Sequence, residues 1–229
     1  MPSMDQGAWV PGTDEYRYGF RSIASLPITG APADTNLARW AMLHDGTDYR
    51  LYAFRGSSSD TLYQFAWNGA SYEFGHRSIP TLTLAGAPSD ADASSIRMLH
   101  SGAAYHAYLR RLGDPTTLYQ FIWEPGTTTY RWGPPGYYPS LPVTGFPFDT
   151  DWSRWNMLHD GSAYRIYAFR HGTTDRMYQG SFDAGAGAYR YAHDSIPELR
   201  LTGYPATGDP GRSAMLHDGT DYRLYFQVP

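Results

Sequence analysis

Over residues 40–76 the chain switches between short apolar stretches and polar turns. Trp40 to His44 is apolar and runs into Asp45-Gly46, Tyr49 to Arg55 alternates, Thr61 to Trp67 ends at Asn68-Gly69, and Tyr72 to about His76 closes the set. Asp-Gly and Asn-Gly between apolar runs mark tight hairpins, because their central residues take positive φ at low cost. The pattern predicts four short antiparallel strands and then a connector rich in Pro, Gly, Asp and Ser.

The same pattern occurs four times. Met-Leu-His, then Asp or Ser, then Gly begins at Met42, Met98, Met157 and Met215. Each is preceded by a Gly-X-Pro unit starting at Gly30, Gly86, Gly145 and Gly203. Each is followed by a Tyr-X-X-Tyr unit starting at Tyr49, Tyr105, Tyr164 and Tyr222. The fourth copy stops at Pro229 without its last two strands, and their counterparts stand at the other end: Met4 to Trp9 matches Leu62 to Trp67, and Tyr16 to Ile23 matches Tyr72 to Ile79. Splitting one repeat between the termini suits a closed ring whose ends pair, and gives nothing to an open array. The expected fold is all-β, a four-bladed β-propeller of one domain, residues 1–229. Its blades fall near 37–79, 93–136, 152–196, and 210–229 completed by 1–23, with the last blade closed by pairing of the N- and C-terminal strands.

Met42-Leu43-His44-Asp45-Gly46, followed by Tyr49 and Tyr52, resembles the repeats of hemopexin-like four-bladed propellers. The resemblance implies that fold and an axial ion site. The chain departs from the family in having no Cys pair to close the ring, longer repeats, and no Phe-Asp-Ala opening of the inner strand.

Composition narrows the chemistry. There is no Cys, and all 18 basic residues are Arg. Thiolate metal sites, cysteine nucleophiles, Schiff-base lysines and phosphate-loop lysines are thereby excluded. A formal charge of −4 supplies no general attraction to nucleic acid or an anionic membrane. No apolar run is long enough to span a bilayer, and the start carries no basic, apolar leader. The expectation is a soluble chain without a signal peptide, its compartment left open between cytoplasm and non-classical secretion. The 16% aromatic content is read as filler for the wedge-shaped gaps between blades.

Three sets of residues are candidates for function. His44, His100, His159 and His217 are equivalent, so a ring would gather them around one axis as a metal or haem site; the competing reading has each imidazole capping its own turn. The connectors carry Asp34 and Asn36, Asp90 and Asp92, Asp149 and Asp151, and Asp209, oxygen ligands at a spacing that suits calcium but also suits turn formation. Phe146, Trp152 and Tyr204 decorate the same connectors, and aromatics beside Asp and Arg are what sugar recognition uses. Arg97 stands where the other copies have Ala41, Asn156 and Ala214, which singles out the second copy. The Gln repeated in each third strand, at Gln6, Gln64, Gln120 and Gln179, reads as a buried amide.

No nucleophile elbow, zinc-protease motif or phosphate loop occurs, so the reading leans away from an enzyme. It favours a ligand-binding, lectin-like module for a small ligand or glycan. The alternatives are a metal- or haem-binding protein, a scaffold for a protein partner, and an unrecognised enzyme.

Overall fold

The computed structural model describes residues 3–21, 23, 26–204 and 209–228. In chain order the first strands are β1 (Ser3–Trp9), β2 (Glu15–Tyr18), β3 (Leu26–Thr29), β4 (Thr35–His44), β5 (Tyr49–Arg55), β6 (Thr61–Trp67), β7 (Tyr72–Phe74) and β8 (Thr81–Ala85). Then come β9 (Ala91–His100), β10 (Tyr105–Arg111), β11 (Asp114–Trp123), β12 (Thr129–Trp132) and β13 (Ser140–Thr144). The last are β14 (Thr150–His159), β15 (Tyr164–Arg170), β16 (Arg176–Asp183), β17 (Ala188–Tyr191), β18 (Glu198–Thr202), β19 (Ser213–His217) and β20 (Tyr222–Val228). Among the described residues there is no α-helix, only a 3₁₀ turn at Pro210–Arg212, and no helix long and apolar enough to cross a membrane. The protein is all-β.

The chain divides into two compact units: Ile28–Pro142, and Val143–Pro229 together with Met1–Pro27. In the first, β4-β5-β6-β7 form one antiparallel sheet and β9-β10-β11-β12 another. The hairpins are those expected. Asp45 Oδ1 accepts from the Thr47 and Asp48 amides at 3.0 and 2.8 Å, Asn68 Oδ1 does the same for Ala70 and Ser71 at 2.9 Å, and Gly46 and Gly69 take φ of 91° and 99°. Two features go beyond the four-strand pattern. The inner strand starts at Thr35, and a register shift between Asn36 and Trp40 carries the chain around Asn36. The connector contains a strand, β8, antiparallel to β6 through Leu62↔Leu82 and parallel to β12 through Tyr130↔Leu84. Its alternation points Leu82 and Leu84 into a core with Phe54, Leu62, Ile96, Met98, Phe121 and Tyr130.

The second unit repeats the plan with a chain break. One sheet is β14-β15-β16-β17. In the other, β19 pairs with β20, β20 with β1 in a register from Ser3↔Val228 to Ala8↔Arg223, and β1 with β2. The expected pairing of the termini is therefore present inside this unit. β18 plays the part of β8, antiparallel to β16 and parallel to β2. Its core gathers Tyr16, Leu158, Phe169, Met177, Leu199, Met215, Leu224 and Phe226.

Candidate functional site

Each unit contains a cavity, and the two are built from equivalent residues. In the first unit it measures about 380 Å³ and in the second about 330 Å³, within the range of small-molecule sites. Arg50, Tyr52 and Gln64 of one correspond to Arg165, Tyr167 and Gln179 of the other. Ser78, Ile79 and Leu82 correspond to Ser195, Ile196 and Leu199, while Tyr105, Trp123 and Tyr130 correspond to Tyr222, Trp9 and Tyr16. The remaining pair differs in sign: Arg77 against Asp194.

The floor is phenolic. Gln64 Nε2 donates to the Tyr52 hydroxyl at 3.0 Å, and the Tyr130 hydroxyl donates to the same oxygen; Tyr16 donates to Tyr167 likewise. Burial pushes all four phenols up, so they remain neutral donors and acceptors. One wall is an arginine held by carboxylates. Arg50 donates from Nε to Asp45 at 2.5 Å, from Nη2 to Asp48 at 3.1 Å and from Nη1 to the Arg77 carbonyl at 3.2 Å. Arg165 pairs with Asp160 through Nε and reaches the Asp194 carbonyl at 3.1 Å. Burial works against the Asp45 carboxylate, but the Asp48 amide, Arg50 and the Thr47 amide outweigh it and hold its pKa below the usual range. Arg50 is correspondingly raised by Asp45 against its own burial.

The opposite wall is aromatic. Tyr105 donates to Asp45 at 3.1 Å and meets the Trp123 ring edge-on at 5.4 Å; Tyr222 donates to Asp160 at 3.2 Å and meets Trp9 at 5.5 Å. Each indole N–H is tied to a nearby carbonyl, Trp123 to Thr127 and Trp9 to Thr13. The half-buried Trp rings are thus fixed in orientation.

None of the residues expected from sequence to bind a ligand lines either cavity. Asp34 accepts from Arg55 and from the Tyr63 hydroxyl, both at 2.9 Å, and Asp90 and Asp149 repeat this with Arg111 and Tyr119, and with Arg170 and Tyr178. Asn36 accepts from the Ala38 amide, Asp92 from Ser94, Asp151 from Ser153 and Asp209 from Gly211. The bonds from Ala38, Ser94, Ser153 and Gly211 are turn-forming. Among the described residues no three His, Cys, Asp or Glu side chains are grouped to hold a metal ion. The imidazoles tilt against the tyrosines that follow them, His44 on Tyr49, His100 on Tyr105, His159 on Tyr164 and His217 on Tyr222, at 4.4–4.6 Å between centroids. His44 and His159 also accept the Gly46 and Gly161 amides at 3.3 Å.

Phe146 and Tyr204, the aromatic candidates of the connectors, lie against glycines of the third strands. A Cβ on Gly180 would lie 2.9 Å from Phe146 Cζ, and one on Gly7 would collide with the Tyr204 hydroxyl. Where the third strand has Phe65 or Phe121, the connector has Ala31 or Ala87; where it has Gly180 or Gly7, the connector supplies the ring. The exchange conserves volume. Trp152 packs on Phe146 at 4.9 Å, and Trp40 and Trp155 are buried. Arg97 is buried and donates to the Ile96 carbonyl at 2.6 Å; burial, with the charge of Arg110, lowers its pKa to about 9.

The Asp45–Arg50 clamp was readable in the repeats, because the pair changes together. In the second copy both charges are replaced, by Ser101 and His106, and the two side chains still meet at 3.1 Å.

No family model matches the chain, so the hemopexin-like resemblance rests on the quoted repeat motif alone. No curated protein matches it. Among solved structures, AofleA from Arthrobotrys oligospora matches over 82% of this chain and 49% of its own, at 14% identity and a TM-score of 0.36. The SapL1 lectin in complex with alpha methyl fucoside matches over 83% of this chain and 57% of its own, at 11% identity and a TM-score of 0.36. The chain spans about half the length of these structures.

Proposed function

We propose that this chain is a non-enzymatic carbohydrate-binding protein whose two matched cavities each seat one sugar residue. The observation that carries the reading is the equivalence of the cavities, each combining an oriented Trp, buried phenols and an arginine held in place by aspartate. Sugars present C–H faces that stack on aromatic rings and hydroxyls that bond to planar charged groups. Two sites on one scaffold gain avidity for a branched or clustered glycan without further contacts.

The test is a glycan array followed by calorimetry on the best saccharide. Two sites per chain are expected, with Trp123→Leu and Trp9→Leu each removing one and the double variant removing both. Absence of any saccharide binding, or binding that survives the double variant, overturns the proposal. We also propose that the four sheets are the blades of a four-bladed propeller, a reading supported by the fourfold repeat and by β1 completing the split copy. A crystal structure with the four sheets arranged otherwise would refute it.

A further inference from the structure

We propose that the two cavities have diverged in charge selectivity, and that the one in the Ile28–Pro142 unit takes an acidic saccharide while its counterpart takes a neutral one. This rests on the carbohydrate reading above.

Nine of the ten lining positions keep the same residue type, and the tenth reverses sign. That position is not a drifting surface residue. Arg77 and Asp194 have φ of 44° and 42°, in the left-handed region that non-glycine residues rarely adopt. In both cavities the carbonyl of this residue accepts from the wall arginine, Arg50 or Arg165. The backbone is pinned at the rim, and the identity of the side chain is what remains to vary.

The neighbouring groups reinforce the difference. Arg50 faces both Asp45 and Asp48, a set with one negative charge in surplus, and the exposed Arg77, which makes no ion pair among the described residues, brings the sum to zero and leaves its own guanidinium unpaired. Arg165 is matched by Asp160, so the exposed Asp194 adds a negative charge, with its carboxylate 3.6 Å from His193. Beside Arg77, Ser78 Oγ is buried at the cavity with no hydrogen-bond partner. Its counterpart, Ser195 Oγ, donates to the Gln179 carbonyl at 3.5 Å. The first cavity therefore offers an unpaired guanidinium, which a carboxylate accepts from. The second presents a carboxylate that repels one.

A third equivalent residue shows how the charge is silenced elsewhere. Arg21 has φ of 45° and its carbonyl accepts from Arg223, but its guanidinium lies 3.6 Å from Asp221.

The experiment uses the methyl glycosides of glucuronic, galacturonic and N-acetylneuraminic acid, each beside its methyl ester, which keeps the shape and removes the charge. Calorimetry on the full chain at low salt should show one acid-preferring site, with the matching ester weaker by about fivefold to tenfold. The preference should shrink as salt is raised. Arg77→Asp should abolish it, and Asp194→Arg should create a second acid-preferring site. Both variants place a residue that an equivalent position already carries at this φ, so the fold tolerates them. Equal binding of acid and ester, or an acid preference that survives Arg77→Asp, overturns the inference and leaves the carbohydrate reading standing. If neither acid nor ester binds and the glycan array is also blank, both fall.

Discussion

The tyrosines show at single-residue scale how position decides the role of a side chain. Tyr52, Tyr130, Tyr16 and Tyr167 are buried and bond to one another in pairs, whereas Tyr63, Tyr119 and Tyr178, also buried, donate to connector aspartates. Burial and the Asp149 contact push Tyr178 up to about 12. Since all these phenols are raised in the folded chain, the unfolded chain ionises first, near its ordinary value of about 10, and so binds fewer protons above that pH. Stability should be unaffected by these groups below pH about 10 and fall steadily above it. Alkaline titration should show tyrosinate absorbance rising together with loss of near-ultraviolet dichroism; free ionisation of most tyrosines in a still-folded chain would contradict this. The clamp residues Asp45 and Arg50 were legible at this scale, through their joint replacement in the second copy. Ser78 was not, because a lone serine in a loop gives no sign that its hydroxyl will be buried without a partner.

At the scale of elements, a connector and the third strand it crosses form one packing unit. Phe146 over Gly180 replaces the combination of Ala31 with Phe65. Phe146→Ala should cost about 2 kcal/mol, below the usual value for a fully buried Phe because the residue is only partly buried. Gly180→Phe should also destabilise, by about 1–3 kcal/mol of overpacking, since its Cβ would meet both the Arg190 carbonyl and the Phe146 ring. The double variant should recover at least about 1 kcal/mol relative to the sum, read from urea midpoints. Strict additivity would show that the two positions do not share one space. The connector strands were only half visible in the sequence. Thr81-Leu82-Thr83-Leu84-Ala85 alternates as a strand should, but it is short and bounded by Pro80 and Gly86. What makes it a strand is the pair of partners, β6 and β12, that tertiary folding brings to its two edges.

At the scale of the whole molecule, the separated halves of the fourth repeat meet through β1. It lies between β20 and β2, so both of its edges are paired. A chain lacking residues 1–9 should lose hydrogen-exchange protection along β20, whose Leu224, Tyr225 and Phe226 are otherwise buried. A synthetic peptide of residues 1–19 added in trans should restore it. Unchanged protection in the truncated chain would mean that β20 is held by β19 alone.

The sequence by itself determined the strand pattern, the four copies, the turn chemistry and the joining of the two termini. These depend on local periodicity and on self-similarity, both of which are written along one dimension. It also carried the repeat equivalences that later identified the clamp and the exchange of Phe for Gly. Only the tertiary structure decided which polar groups face a cavity. The connector aspartates satisfy their own turns and neighbouring arginines, while Arg50, Ser78, Tyr105 and Trp123 converge from separate strands and loops. A carboxylate in a Pro/Gly loop looks the same along the chain whether its oxygens face a ligand or its own backbone amides, and only the folded geometry tells the two apart.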